Sequence, residues 1–195
     1  MIVSHKWRFI FLKTRKTAGS SIEAALAPLL GPEDLITGSA RDGTPRRNCQ
    51  DRMTGHWGWR RVRDFIGAET FDQYRRVCVE RDAYDKSVSD WLYHRDVLST
   101  TTLGLAEYIQ QRRPSDWTRY AEGDQPVATV LRFENLAAEF GDWCAATGLP
   151  PVGIGAYQLK RNACRGVARD YHDAASCAAI ADVFARELEY YGYRL

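Results

Sequence analysis

The sequence predicts an α/β domain with a central, mainly parallel sheet flanked by helices. Three observations lead there. Short apolar runs rich in aromatic and β-branched residues recur along the chain, each is followed by a segment with helical spacing of its apolar residues, and glycine, proline and small polar residues mark the junctions. Trp7–Leu12 reads as the first strand, and the polar stretch Lys13–Ser21 follows it as a loop. Ile22, Ala25, Leu26 and Leu29 then keep helical spacing until Pro28 and Gly31-Pro32 close the helix. Residues 38–64, with five glycines and prolines, read as loop. Arg76–Glu80 is a second strand, and helices are expected over Tyr84–Arg95 and Leu103–Arg112. Val127–Phe133 is a third strand before a helix at Leu136–Ala146. A last amphipathic helix spans 173–190, with Ala175, Ala179, Val183 and Leu188 as its core face. No linker divides the chain, so one domain over 1–195 is expected.

Composition narrows the function classes. With 45% hydrophobic and 27% charged residues, the chain is neither disordered nor fibrous. No apolar run approaches the ~20 residues of a membrane span. A net charge of +2 does not suggest a nucleic-acid binder. Of the 27 basic residues only five are lysines, and arginine's planar fork suits phosphate, sulfate and carboxylate. The five scattered cysteines form no framework, which suggests reduced thiols and a cytoplasmic location. The four histidines match no zinc pattern, so no metal is expected. His5, Lys6 and Arg8 interrupt the opening residues, which do not read as a signal peptide.

Two strand ends carry the chemistry. In Lys13–Ser21 a buried strand passes to a helix start, where backbone N–H groups lack helical partners and the helix dipole favours an anion. The small residues Thr17, Ala18, Gly19, Ser20 and Ser21 let a tetrahedral anion approach. Lys16 adds a mobile charge, and the hydroxyls of Thr17, Ser20 and Ser21 add donors. This is a phosphate cradle without the Gly-Lys dipeptide of the nucleotide-triphosphate loop, which occurs nowhere in the chain. At the second strand end, Arg81 at the tip and Ser89 eight residues on can converge on one phosphate.

Together these segments resemble the sulfotransferases that use 3′-phosphoadenosine 5′-phosphosulfate (PAPS). Phe11-Leu-Lys-Thr-Arg-Lys-Thr-Ala-Gly-Ser-Ser-Ile-Glu23 resembles their 5′-phosphosulfate loop. Val79-Glu-Arg-Asp-Ala-Tyr-Asp-Lys-Ser-Val-Ser89 resembles their 3′-phosphate segment. Leu131-Arg-Phe-Glu-Asn-Leu136 and the ending Phe184–Tyr193 are weaker matches. The resemblance implies a P-loop-kinase-like three-layer fold and direct transfer of a sulfuryl group from PAPS, without a metal, to a hydroxyl or amine of a carbohydrate or other small acceptor. Lys16 matches the lysine at the bridging oxygen, Thr17 to Ser21 the 5′-phosphate contacts, and Arg81 and Ser89 the 3′-phosphate contacts. Arg15 and Ala83 stand where many members have proline.

Transfer to a hydroxyl needs a base. Thr54-Gly-His56-Trp57 resembles the Gly-His segment that supplies it in the uronyl 2-O-sulfotransferase branch, which makes His56 the expected base and Glu23 the alternative. Trp57 and Trp59 read either as acceptor contacts or as core. The arginines at 41, 46, 47, 52, 60, 61 and 63 read either as an acid-facing surface, suited to an acidic acceptor, or as a solvated loop. Two rival readings are a small P-loop-like kinase and a non-catalytic anion-binding module.

Overall fold

The computed structural model describes residues 1–39, 43–50, 53–154 and 168–195. Its first elements are β1 (Ile2–Ser4), β2 (Phe9–Leu12), α1 (Gly19–Leu26), β3 (Leu35–Ile36), α2 (Trp59–Ile66), α3 (Ala68–Gln73) and β4 (Arg75–Glu80). Then come α4 (Ala83–Leu92), α5 (Leu105–Arg112), a helical turn α6 (Trp117–Tyr120), and the short hairpin β5 (Ala121–Glu122) and β6 (Gln125–Pro126). β7 (Thr129–Arg132), α7 (Leu136–Thr147), α8 (Ala174–Val183) and α9 (Ala185–Tyr191) complete the order. The chain forms two compact units: Met1–Glu80 with the segment from Thr118 through α7, and Arg81–Trp117 with the C-terminal helices.

The first unit is mixed α/β. Its five-stranded sheet has the order β3-β1-β2-β4-β7. β2–β4 and β4–β7 are parallel, whereas β1 runs antiparallel to both β2 and β3. Four of the five strands therefore point one way. All four β2 residues are buried, as expected of a strand covered on both faces. Phe9, Phe11, Val77, Val79 and Leu131 pack with Ile22 and Leu26 of α1 and with Leu136, Phe140 and Trp143 of α7. Trp143 meets Phe9 edge-on at 5.2 Å between ring centroids.

Several expected boundaries move, each for a physical reason. The first strand is Phe9–Leu12, because Trp7 lies in the turn of a hairpin with the unanticipated β1. Asp34 closes that turn, accepting from Ser4 Oγ at 2.6 Å and from the N–H groups of His5, Lys6 and Gly31 at 2.7, 3.1 and 2.8 Å. Helix α1 starts at Gly19 and ends at Leu26, where Pro28 cannot supply the next helical hydrogen bond. The expected loop ends at Gly58, and α2 begins inside it, burying Trp59 and Val62. Gly67, at φ 86°, separates α2 from α3 in a conformation that side chains resist.

The second unit is helical. Ala83, Val88 and Leu92 of α4 share a core with Leu105 and Ile109 of α5 and with Ala179, Ile180 and Val183 of α8. Helix α4 continues into a π-helical turn at Tyr93–Val97. The expected single helix over 173–190 is two, interrupted at Phe184. Its inner stripe is Ser176, Ala179, Ile180 and Val183, whereas Ala175 is exposed. Ser176 is drawn inward by a capping box with Asp173, which sets the helix rotation. Among the described residues, no helix is long and apolar enough to cross a membrane.

Candidate functional site

β2, β4 and β7 are parallel neighbours, so all three end at one edge of the sheet. The loop leaving β2 is the expected cradle. Its backbone turns through left-handed conformations at Lys16 (φ 59°) and Ala18 (φ 58°). Such turns in a loop aim successive N–H groups into a concavity suited to an anion. Ala18 is the N-cap of α1, and no side chain caps this helix, whereas Asp82 caps α4 through the N–H groups of Tyr84 and Asp85. The first N–H to bond within α1 is that of Ile22, to Ala18 O at 3.1 Å. Ala18 has no side-chain acceptor to offer the first-turn donors of α1.

Not every expected cradle hydroxyl faces an anion. Thr17 is fully buried, and its Oγ1 bonds Thr14 Oγ1 at 2.8 Å and Thr14 O at 3.2 Å. Thr14 Oγ1 in turn donates to Val79 O, tying the loop to β4. Ser20 and Ser21 are buried at the start of α1, and Arg15, Lys16 and Ala18 are half-buried.

The dominant side chain here is one that sequence reasoning passed over. Lys13 lies along Gly19, where an added Cβ would sit 2.6 Å from Lys13 Cγ. Its Nζ reaches Ser20 Oγ at 3.2 Å and Glu23 Oε2 at 2.6 Å. Glu23 is fully buried and also accepts from Thr37 Oγ1, at 3.1 Å, and from the Met1 ammonium. Burial alone pushes its carboxyl up, but the two ammonium groups and their hydrogen bonds outweigh burial and hold it below the usual range. A carboxylate so engaged is a weak proton acceptor, and Glu23 is a structural anchor. The signal was present: Gly19, Ile22, Glu23 and Leu26 share one helix face, so Glu23 sits on a buried stripe and needs a basic partner.

His56 lies against this cradle. Its Nδ1 is 3.0 Å from Lys13 O, across 43 residues of sequence. A carbonyl oxygen only accepts, so Nδ1 carries the proton and the neutral ring keeps its lone pair on Nε2. Arg119 Nη1 donates to His56 O and holds the segment from behind. No sequence pattern pointed to Arg119.

The neighbouring tryptophans are core. Trp57 is 7% exposed, beneath Arg61 at 4.0 Å and edge-on to Phe65. Trp59 is 8% exposed and donates from Nε1 to Ala121 O at 3.0 Å. Several arginines of the 38–64 segment have partners within the chain. Arg46 donates to the carbonyls of Thr37, Gln50 and Met53, while Arg60 pairs with Glu122 at 2.9 Å and Arg63 with Asp72 at 3.5 Å. Arg41 and Arg52 lie outside the described residues.

In the second unit, Arg81 directly follows β4 and pairs with Asp85 at 3.0 Å. Ser89 is half-buried on α4. Ala83 is the first residue of α4, the position where proline is favoured, so alanine there keeps the helix start intact. Lys86, between the two, is fully buried and pairs with buried Asp116 at 3.0 Å.

No protein-family model, curated protein or solved structure matches the chain.

Proposed function

We propose that this protein is a cytoplasmic PAPS-dependent sulfotransferase of the carbohydrate branch, on a three-layer P-loop-kinase-like fold. The observation that supports the reading is the bond from His56 Nδ1 to Lys13 O, which holds the imidazole beside the loop leaving β2 with the Nδ1 proton engaged. The uncapped start of α1 and the left-handed turns at Lys16 and Ala18 support it further.

In this reading the N–H groups of Thr17 to Ser21 and the Lys16 ammonium hold the 5′-phosphosulfate, and Arg81 and Ser89 read the 3′-phosphate. PAPS supplies the sulfuryl group, which passes in line to an acceptor hydroxyl or amine without a metal. Nε2 of His56 takes the acceptor proton. Lys16 and the cradle N–H groups stabilise negative charge on the sulfuryl oxygens and the leaving phosphate.

Calorimetric titration tests the reading. 3′-Phosphoadenosine 5′-phosphate should bind far more tightly than ATP, and equal affinity or a requirement for Mg²⁺ would favour a kinase instead. A screen of carbohydrate and small-molecule acceptors with labelled PAPS should then yield a sulfated product. His56→Ala should lower turnover by ~10²–10⁴-fold, the usual share of a general base, with nucleotide affinity retained. A near-wild-type rate per folded molecule would exclude His56 as the base.

A further inference from the structure

The Lys13 side chain takes no part in the mechanism above. Its stem runs between two glycines. A Cβ on Gly19 would lie 2.6, 3.0 and 3.2 Å from its Cγ, Cε and Cδ, and a Cβ on Gly55 would lie 3.5 Å from its Cδ and 3.9 Å from its Nζ. Gly19 opens the cradle helix, and Gly55 precedes His56. The ammonium ends on Ser20 Oγ and Glu23 Oε2, and the carbonyl of the same residue accepts from His56 Nδ1. The side chain is 10% exposed and its partner Glu23 is fully buried.

We propose that Lys13 is a positioning residue that couples the cradle to the base: its stem spaces Gly19 from Gly55, its ammonium anchors α1 through Ser20 and Glu23, and its carbonyl selects the His56 tautomer. The physical case is one of rigidity. A buried ion pair with good geometry cannot drift without exposing an unmatched charge. Whatever holds the Lys13 side chain therefore also holds its carbonyl, and with it the imidazole. A base must sit within hydrogen-bond reach of the proton it removes, so a small displacement is enough to lose turnover. Among the described residues, charged groups near His56 include the Lys13 ammonium, the Arg119 guanidinium on its carbonyl and, behind Lys13, Glu23 with the Met1 amino group.

The inference rests on the sulfotransferase reading for its consequence, but its test does not need sulfuryl transfer. The His56 imidazole is followed by ¹⁵N NMR in the full chain labelled at histidine, with His56→Gln identifying the resonance. Wild type should show the Nδ1–H tautomer. Lys13→Met removes a neighbouring positive charge, so the His56 midpoint should rise by about half a pH unit or more, and the Nδ1–H tautomer should lose its dominance. Lys13→Met leaves Glu23 one partner short. The double variant Lys13→Met/Glu23→Gln removes one charge of each sign and keeps the fold testable, so its midpoint should move less than that of Lys13→Met, while the Nδ1–H tautomer should lose its dominance as in the single variant. Where transfer is measurable, both variants should lose tenfold or more in kcat with a smaller change in KM for PAPS. An unchanged His56 tautomer in the double variant would overturn the proposal and leave Lys13 a structural lysine. A His56 response without any sulfuryl transfer by the wild type would keep the coupling and refute the sulfotransferase reading.

Discussion

Gly19→Ala adds one methyl group at the first residue of α1, and its cost can be worked from the geometry. The new Cβ would lie 2.6 Å from Lys13 Cγ, with Cε and Cδ at 3.0 and 3.2 Å. Non-bonded carbons prefer ~3.5–4.0 Å, so the stem must move by about 1 Å. It has little room, because Nζ is held by Glu23 at 2.6 Å and Gly55 lies on its other side. If the stem only bends, overpacking costs about 1–3 kcal/mol. If the ammonium leaves Glu23, the broken buried pair costs about 3–5 kcal/mol. The alanine offsets less than ~1 kcal/mol by its better helix propensity. A net loss is expected in either case, ~2–4 kcal/mol where the pair breaks, and with a urea slope of ~2 kcal/mol/M the midpoint then falls by ~1–2 M. The same substitution at Gly141, on the exposed side of α7 with nothing within 4 Å of the new methyl, should instead stabilise by ~0.5–1 kcal/mol. Urea unfolding followed by tryptophan fluorescence reads both variants. Gly19→Ala as stable as wild type would refute the packing argument for Lys13.

Other expectations follow from the same structure. Asp116→Asn leaves Lys86 as a fully buried cation short of its partner and should destabilise the second unit by about 3–5 kcal/mol, measured by denaturation. Glu187 is buried with Oε1 accepting from Ser115 and, among the described residues, no hydrogen-bond partner for Oε2, and burial pushes its carboxyl up. The folded state therefore binds this proton more tightly than the unfolded chain. The stability it contributes is present at acid pH and is lost as pH rises from the ordinary carboxylate value through the raised one. Glu187→Gln should remove that slope in Tm-against-pH measurements; an unchanged slope would show that another group carries it. Arg81→Ala should weaken 3′-phosphoadenosine 5′-phosphate binding by roughly tenfold or more, and adenosine 5′-phosphosulfate hardly at all, in calorimetry. Equal weakening of the two ligands would make Arg81 structural.

Local pattern revealed the main elements of the sheet. The apolar runs of β2, β4 and β7 and the helices after them were legible, because strand burial and helical spacing are properties of a few neighbouring residues. β1 was missed because three residues carry too little pattern, and its hairpin turn depends on Asp34, some 30 residues away. α2 was hidden by its arginines. Its buried face is only Trp59 and Val62, and the fold covers them. The break at Phe184 escaped because the apolar spacing runs straight through it.

The candidate site divides in the same way. The passage from strand to helix over Lys13–Ser21 was readable, since small polar residues between an apolar run and a helical pattern mark such a junction whatever the rest of the chain does. Sequence alone also supplied His56 as a residue of suitable chemistry, but not its partner. The Lys13 carbonyl lies 43 residues from His56, Glu23 lies ten from Lys13, and Arg119 reaches His56 across 63. Such pairings depend on which strands lie side by side and on how closely two glycines let a lysine stem pass between them. The local spacing of residues encodes neither, so the tautomer of His56 and the engagement of Glu23 were decided only when the chain closed around Lys13.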